Sequence, residues 1–233
     1  MSFSNEKLEI LFVALLLILT SAGTLSAADE NAKRLEDAAI VLNEIMETPD
    51  QSIPQDLLDR AQCIVIVPGM KKGAFIFGAK YGKGYIFCRK KSGSGWSGPG
   101  TVRIEGGSFG FQIGLSETDL VMLVMNQGGV DRLLSSQFTL GADASVAAGP
   151  VGRATNAQTD ALLSAQILSW SRSHGIFAGI SLQGATLRQD LTDNRNLYGR
   201  TLENKEIIEK ELPVPAPAKD LIALLDRFSP KKK

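Results

Sequence analysis

The chain has 233 residues, 44% of them apolar, and its 25 acidic side chains balance 25 basic ones. That length makes one or two domains with an ordinary globular core. A single histidine, His174, excludes a metal centre built from several histidines of one chain.

The N-terminus stands apart from the rest. Residues 10–19 (ILFVALLLIL) form an apolar run of ten, and small residues follow. Ser26-Ala27-Ala28 offers a small-x-small cleavage site before Asp29, so residues 1–28 read as a secretory signal peptide cut after Ala27 or Ala28. Ten residues are too few for a comfortable membrane span; an uncleaved anchor is the alternative. The chain is then expected in the periplasm or secreted, peripherally associated with a membrane. Residues 29–230 form one domain, and residues 231–233 a basic tail.

Residues 30–47 have helical spacing, with Leu35, Ala38, Ala39, Leu42, Ile45 and Met46 on one face. Thr48-Pro49 ends that helix, and a short second helix is expected over residues 54–61, with Pro54 in its first turn. Residues 63–67 are a continuous apolar run of strand length. Strands at 74–80 and 85–89 flank Tyr81-Gly82-Lys83-Gly84, whose turn chemistry predicts a hairpin. Later strands are expected at 107–114, 120–125, 139–147, 164–171 and 176–187, with a short helix at 130–135. A polar turn ends in Asn196 and Tyr198-Gly199. The pattern is helical again at 202–212, extended through Pro213, Pro215 and Pro217, and helical over 219–228. There Leu221, Leu224, Leu225 and Phe228 make a stripe that docks on the sheet. The 23 glycines lie mostly between Gly69 and Gly199 and suit turns and tight strand approaches. The expected fold is α+β: a Gly-rich, mainly antiparallel sheet or partial barrel packed by N-terminal and C-terminal helices. Cys63 and Cys88 sit in strand-like segments, either as buried free thiols or as a bridge between neighbouring strands.

The zero net charge hides an uneven distribution. Residues 62–100 contain no Asp or Glu but carry Lys71, Lys72, Lys80, Lys83, Arg89, Lys90 and Lys91. Residues 29–60 hold nine acids and three bases. With the turn at residues 81–84, Lys71 and Lys72 would fall at the same end of the hairpin as Arg89, Lys90 and Lys91, and Lys80 and Lys83 at the other. Phe75, Phe77, Tyr85, Phe87 and Trp96 lie near enough in sequence to add apolar contact. Such a patch suits an anionic surface, where each basic residue contributes about 1 kcal/mol; lysines at strand ends also serve to discourage edge-to-edge association.

Enzyme chemistry finds no support. His174 has Ser171 and Ser173 nearby, but neither sits in a G-x-S-x-G elbow. Cys63, Cys88 and His174 lack zinc-site spacing. Gly106-Gly107-Ser108-Phe109-Gly110 lacks the Gly-Lys-Ser/Thr of a P-loop, and Gly128-Gly129 lacks a dinucleotide fingerprint. No cofactor or metal is expected. Arg153, in a turn with Gly149-Pro150 and Gly152, suits a phosphate or carboxylate partner.

Several strings occur together in order: Val67-Pro68, Lys72-Gly73-Ala74-Phe75, Gly82-Lys83-Gly84, residues 96–99 (WSGP), residues 107–114 (GSFGFQIG), Asp119-Leu120-Val121, residues 148–153 (AGPVGR), and residues 171–199 (SRSHGIFAGISLQGATLRQDLTDNRNLYG). In that order they resemble the SYLF domain family of lipid-binding modules, of the bacterial exported type, over roughly residues 30 to 228. The resemblance implies a non-enzymatic module that binds anionic phospholipid or phosphoinositide-like head groups. Lys71, Lys72, Lys80, Lys83, Arg89, Lys90, Lys91 and Arg153 are the candidate contacts. The alternative is a structural or protein-interaction module of the cell envelope. Lipid binding by eukaryotic members is credited partly to a basic N-terminal helix; here that helix holds Asp29, Glu30, Glu36, Asp37, Glu44 and Glu47 beside Lys33 and Arg34, so its mechanism does not carry over. The expected partners are an anionic phospholipid surface and an envelope protein. Nucleic acid is not expected, nor is actin, which some members bind, for an exported chain.

Overall fold

Helix α1 (Ala27–Glu47) buries Leu35, Ala38, Val41, Leu42 and Ile45 along one stripe. This is the face that the helical spacing of its apolar residues dictates. The structure, a computed structural model, describes residues 27–48, 52–74, 77–109, 114–150, 164–173, 176–179 and 182–230. The apolar run at residues 10–19, His174, Arg153 and the tail at 231–233 lie outside the described residues. Helix α2 (Gln55–Arg60) follows α1.

Among the described residues, nine strands form one sheet. They are β1 (Cys63–Ala74), β2 (Phe77–Cys88), β3 (Gly100–Phe109), β4 (Gly114–Val124), β5 (Gln137–Thr139), β6 (Val146–Ala148), β7 (Ile167–Ser173), β8 (Ile176–Gly179) and β9 (Thr186–Gln189). Their order is β5-β9-β3-β2-β1-β4-β7-β6, with β8 on β7. Every pairing is antiparallel except β6 with β7. The remaining helices are α3 (Gln127–Leu133), α4 (Leu191–Tyr198), α5 (Asn204–Glu209) and α6 (Lys219–Phe228). The architecture is the expected α+β one, a mostly antiparallel sheet curled into a half-barrel.

Both faces of the central strands are covered, and the alternation of the pleat sorts the core in two. Ile64 and Ile66 of β1, Tyr85 and Phe87 of β2, and Val121 and Leu123 of β4 pack with α1, α6 and Trp170 on the helix side. Cys63, Val65 and Val67, with Ile86, Val102, Ile104, Leu120, Met122 and Val124, pack inside the curl against Phe138, Leu182 and Leu187. Each fully buried Leu, Ile or Val adds about 1.5–3 kcal/mol. Helix α6 docks chiefly on α1 rather than on the sheet, with Leu221, Ile222 and Leu225 buried.

Gly82-Lys83-Gly84 is not a turn. It lies inside β2, paired with residues of β3, and β1 and β2 join instead through residues 75–76. The glycines have a different cause. Pro68 and Gly69 form a one-residue bulge in β1, where the register shifts between Val67 and Met70. Gly69 holds φ +56° and donates its N–H to Asp119 Oδ1 at 2.9 Å. The bulged strand passes so close to β2 that a Cβ at Gly84 would lie 2.1 Å from the Ile66 carbonyl oxygen. Only glycine permits that approach.

Cys63 and Cys88 are direct cross-strand partners and are joined by a disulfide, with Cα atoms 3.9 Å apart. Of the two states open from the sequence, the bridge is the one present. Arg89 N–H donates to the Gln62 carbonyl, so the adjoining Cys63–Cys88 pair is non-hydrogen-bonded, the kind whose side chains come closest.

Candidate functional site

The observed register separates the basic residues differently from the expected hairpin. Lys72 is the direct partner of Lys80, and Lys71 of Tyr81. Arg89, Lys90 and Lys91 follow the opposite end of β2, about 30 Å away at ~3.3 Å per strand residue. The five-cation cluster of Lys71, Lys72, Arg89, Lys90 and Lys91 is therefore corrected to the pair Lys72 and Lys80, with Lys71 on the other face opposite Glu117, because the β1–β2 ladder runs on to Ala74 and Gly78 and does not end at 81–84.

By alternation from Met70 and Ile86, Lys72 and Lys80 face the inside of the curl at its open end. Their outer neighbours are Ser116 on β4 and Gly106 on β3. Both lysines are half-buried, while Lys71 and Tyr81 are exposed. Burial, and then the charge of Lys80, holds the Lys72 ammonium below its ordinary pKa. Among the described residues, none of Lys71, Lys72 and Lys80 has an acid within ion-pair distance. Like charges directly opposite on a strand pair destabilise it, so the Lys72–Lys80 arrangement costs stability.

The other candidates are committed inside the fold. Lys83 faces the helices and pairs with Asp190 at 3.2 Å and Asp193 at 3.0 Å. Asp193 also receives Arg34 of α1 at 2.9 Å. Asp190 caps α4 by accepting from the Asp193 N–H. Burial alone would push Asp190 up, but the Asp193 amide and Lys83 outweigh it and hold the carboxyl below the usual range. This network fastens α1 and α4 to the sheet.

Arg89 clamps the end of the chain to the sheet. Its guanidinium donates to the carbonyls of Ala61, Leu58 and Ser229 and to Ser229 Oγ. Burial pushes its pKa down to about 10, against the opposing charges of Asp59 and Asp226. Lys90 and Lys91 sit on the turn that follows. There the Gly95 N–H holds the Pro230 carbonyl at 2.9 Å, and Lys91 N–H donates to Glu211.

Two features had no sequence signal because they join distant segments. A polar cleft of about 750 Å³ separates the first half of α1 from the β1 bulge, β4 and β7. Arg172 spans it, donating to Asp119 at 2.7 Å and pairing with Glu44. Burial raises the Asp119 pKa, opposed by the Gly69 N–H. No nucleophile–base pair lines it; it is a charge-paired seam. The second is a groove of about 480 Å³ between α1 and α6, lined by Leu35, Ala39, Ile40, Leu221 and Leu224. Ile40 is 47% exposed there. Among the described residues, no cluster of three or more His, Cys, Asp or Glu is placed to hold a metal ion, and no helix is long and apolar enough to cross a membrane.

The family model described as "Ysc84: Las17-binding protein actin regulator" matches residues 105–228. The match begins inside β3, so the hairpin lysines precede it. The chain is 33% identical over 200 residues to SH3 domain-containing YSC84-like protein 1 of Homo sapiens, covering 83% of this chain and 58% of that protein. It is 34% identical over 185 residues to the Xenopus laevis protein of the same name, covering 78% and 55%. Protein YSC84 of Saccharomyces cerevisiae is 34% identical over 182 residues, covering 76% of this chain and 38% of the yeast protein. The chain thus spans about half the length, or less, of these curated relatives.

Proposed function

This chain belongs to the Ysc84 (SYLF) family, and from that premise we propose that it is a non-enzymatic module that binds anionic phospholipid head groups at a membrane surface. One observation carries the reading: Lys72 and Lys80 oppose each other directly across β1 and β2 with no described acid within ion-pair distance, while Lys71, on the other face of the sheet, stands opposite Glu117 of β4. At about 1 kcal/mol per cation near an anionic bilayer, the pair favours the surface roughly thirtyfold. Export by a signal peptide in residues 1–28, which their apolar run predicts, would make this a periplasmic or secreted module acting peripherally on a membrane.

A second reading is a protein-interaction module. The description of the matching family model, Las17-binding protein actin regulator, and the exposed Ile40 beside the groove between α1 and α6 favour it.

Co-sedimentation with phosphatidylglycerol vesicles tests the first reading. Binding at low salt should weaken as the Debye length falls from about 10 Å at 0.1 M to about 3 Å at 1 M. Indifference to anionic vesicles at low salt would reject lipid binding and leave the protein-interaction reading.

A further inference from the structure

Helix α1 carries more apolar surface than the fold covers. From Ala32 to Asn43 the residues that line its groove with α6 recur at three- and four-residue spacing. They share one face over about three turns, roughly 16 Å. Leu35 is buried at the base of that face, but Ile40 is 47% exposed on it. Leu221 and Leu224 of α6, with Pro217 just before that helix, form the opposite wall. The small side chains of Ala32 and Ala39 leave a trough of about 480 Å³ between the larger ones.

The banks of the trough are acidic. Glu36 of α1 and Asp220 of α6 line it, both exposed, and its described lining holds no Lys or Arg. Helix α1 carries six acids against two bases, and α6 two of each. Three of those four cations are already paired: Lys33 with Asp37, Arg34 with Asp193, and Arg227 with Glu47. Lys219, exposed beside Asp220, is the fourth. Glu44 pairs with Arg172 of β7, whereas among the described residues neither Glu36 nor Asp220 forms an ion pair. An anionic bilayer is repelled from such a face. A second copy using the same patch would set acids against acids.

Resting on the protein-interaction reading, and naming its partner class, we infer that the groove between α1 and α6 takes a basic amphipathic helix of another protein. A groove between two helices is bounded by side chains at helical spacing, into which a third helix packs its own. The partner's apolar stripe, at i, i+3, i+4 and i+7, fills the trough against Leu35, Ala39, Leu221 and Leu224 and covers Ile40. Lysines or arginines flanking that stripe meet Glu36 on one bank and Asp220 on the other. The apolar floor supplies affinity; the two acids orient the partner and reject acidic helices.

Two synthetic peptides of about four helical turns test the groove. One carries leucines at helical spacing flanked by lysines; the other has the same leucines flanked by glutamates. Binding to the full chain is read from the anisotropy of a dye on the peptide. Its place is read from Ile40→Trp, because Trp96 and Trp170 are fully buried and form a constant background. The lysine peptide should bind and blue-shift the Ile40→Trp emission, and the glutamate peptide should do neither. Ile40→Ser and Glu36→Lys/Asp220→Lys should each weaken the lysine peptide about tenfold or more. Glu203→Lys/Glu209→Lys, an equal charge change at α5, should not. All these side chains are exposed, and an unchanged urea midpoint checks the fold. A lysine peptide held equally by the groove variants would overturn the groove and leave the protein-interaction reading standing. A native protein that ignores both peptides would overturn the groove and also take from that reading its structural support. An Ile40→Trp emission that shifts with protein concentration alone would give the site to a second copy, and one quenched by brominated phosphatidylglycerol vesicles would give it to a bilayer; either overturns the basic partner.

Discussion

The guanidinium of Arg89 lies 3.8 Å above the centre of the Trp96 ring, and both side chains donate to the same acceptor, the carbonyl of Ser229. Ser229 is fully buried and its own hydroxyl donates a hydrogen bond to Asp59 at 2.8 Å. Arginine, ring, hydroxyl and carboxylate thus lock the end of α6 against α2 and the sheet. Truncation of Arg89 to alanine takes a donor from the carbonyls of Ala61, Leu58 and Ser229 and removes the positive charge near Asp59. Arg89→Ala should lower stability by about 2–3 kcal/mol, read as a drop in the urea midpoint. Arg89→Lys should recover little of it, because an ammonium lacks the planar fork. A midpoint within error of the native value would contradict the clamp.

The Cys63–Cys88 bridge closes a sequence separation of 25. A cross-link of that span contributes about 3 kcal/mol by restricting the unfolded chain. Cys63→Ser/Cys88→Ser protein, or reduced native protein, should unfold at correspondingly lower denaturant. Thiol labelling of oxidised protein under denaturing, non-reducing conditions should find no free cysteine. Two labelled thiols would remove the bridge from the account.

Lys72→Glu separates binding from folding. The substitution turns a like-charged cross-strand pair into an opposite-charged one, so stability should rise by about 0.5–1 kcal/mol. Vesicle binding should be lost at the same time. Lys90→Glu/Lys91→Glu, at the far end of β2, should retain vesicle binding. A variant that gains stability and binds vesicles as well as native protein would show that the lysine pair is not the lipid contact.

Acid should loosen the attachment of α1 and α4. The Asp190 pKa is lower in the folded chain than in the unfolded one. Its contribution is therefore fully present above the unfolded aspartate value near 4 and is lost as pH falls through the folded value. Asp119 and Asp226, raised by burial, work in the opposite sense. Asp190→Asn retains a capping side chain but cannot titrate. Its unfolding free energy should fall less steeply than the native protein's between pH 5 and 3, as about one carboxylate's worth of proton uptake disappears. Identical slopes would rule out Asp190 as a source of acid lability.

Helices α1 and α6 were legible because their apolar residues recur at helical spacing and each buries a single stripe. Helix α4 was not, because its buried residues are polar. Asn194 is fully buried, donating to Leu202 and Asn204 and accepting from Thr101. No hydrophobic period marks such a helix; the available signals were its ends, Asp190 as cap and Gly199 at φ +74°. The β1–β2 hairpin was misplaced because a glycine looks the same in sequence whether it turns the chain or admits a neighbour. The true connection, Phe75-Ile76, carries no turn residue. The charge asymmetry of residues 62–100 was visible at once, but its division into one lysine pair, a clamp and a buried network depended on register, which composition does not encode.

The hold of Gly95 on Pro230 gives the domain a fixed exit. Anything joined after that residue, whether a tag, a dye or another folded unit, would start from the Lys90 turn, about 30 Å along β2 from Lys80. A payload attached there would ride on a built-in spacer, held away from the Lys72–Lys80 end of the sheet.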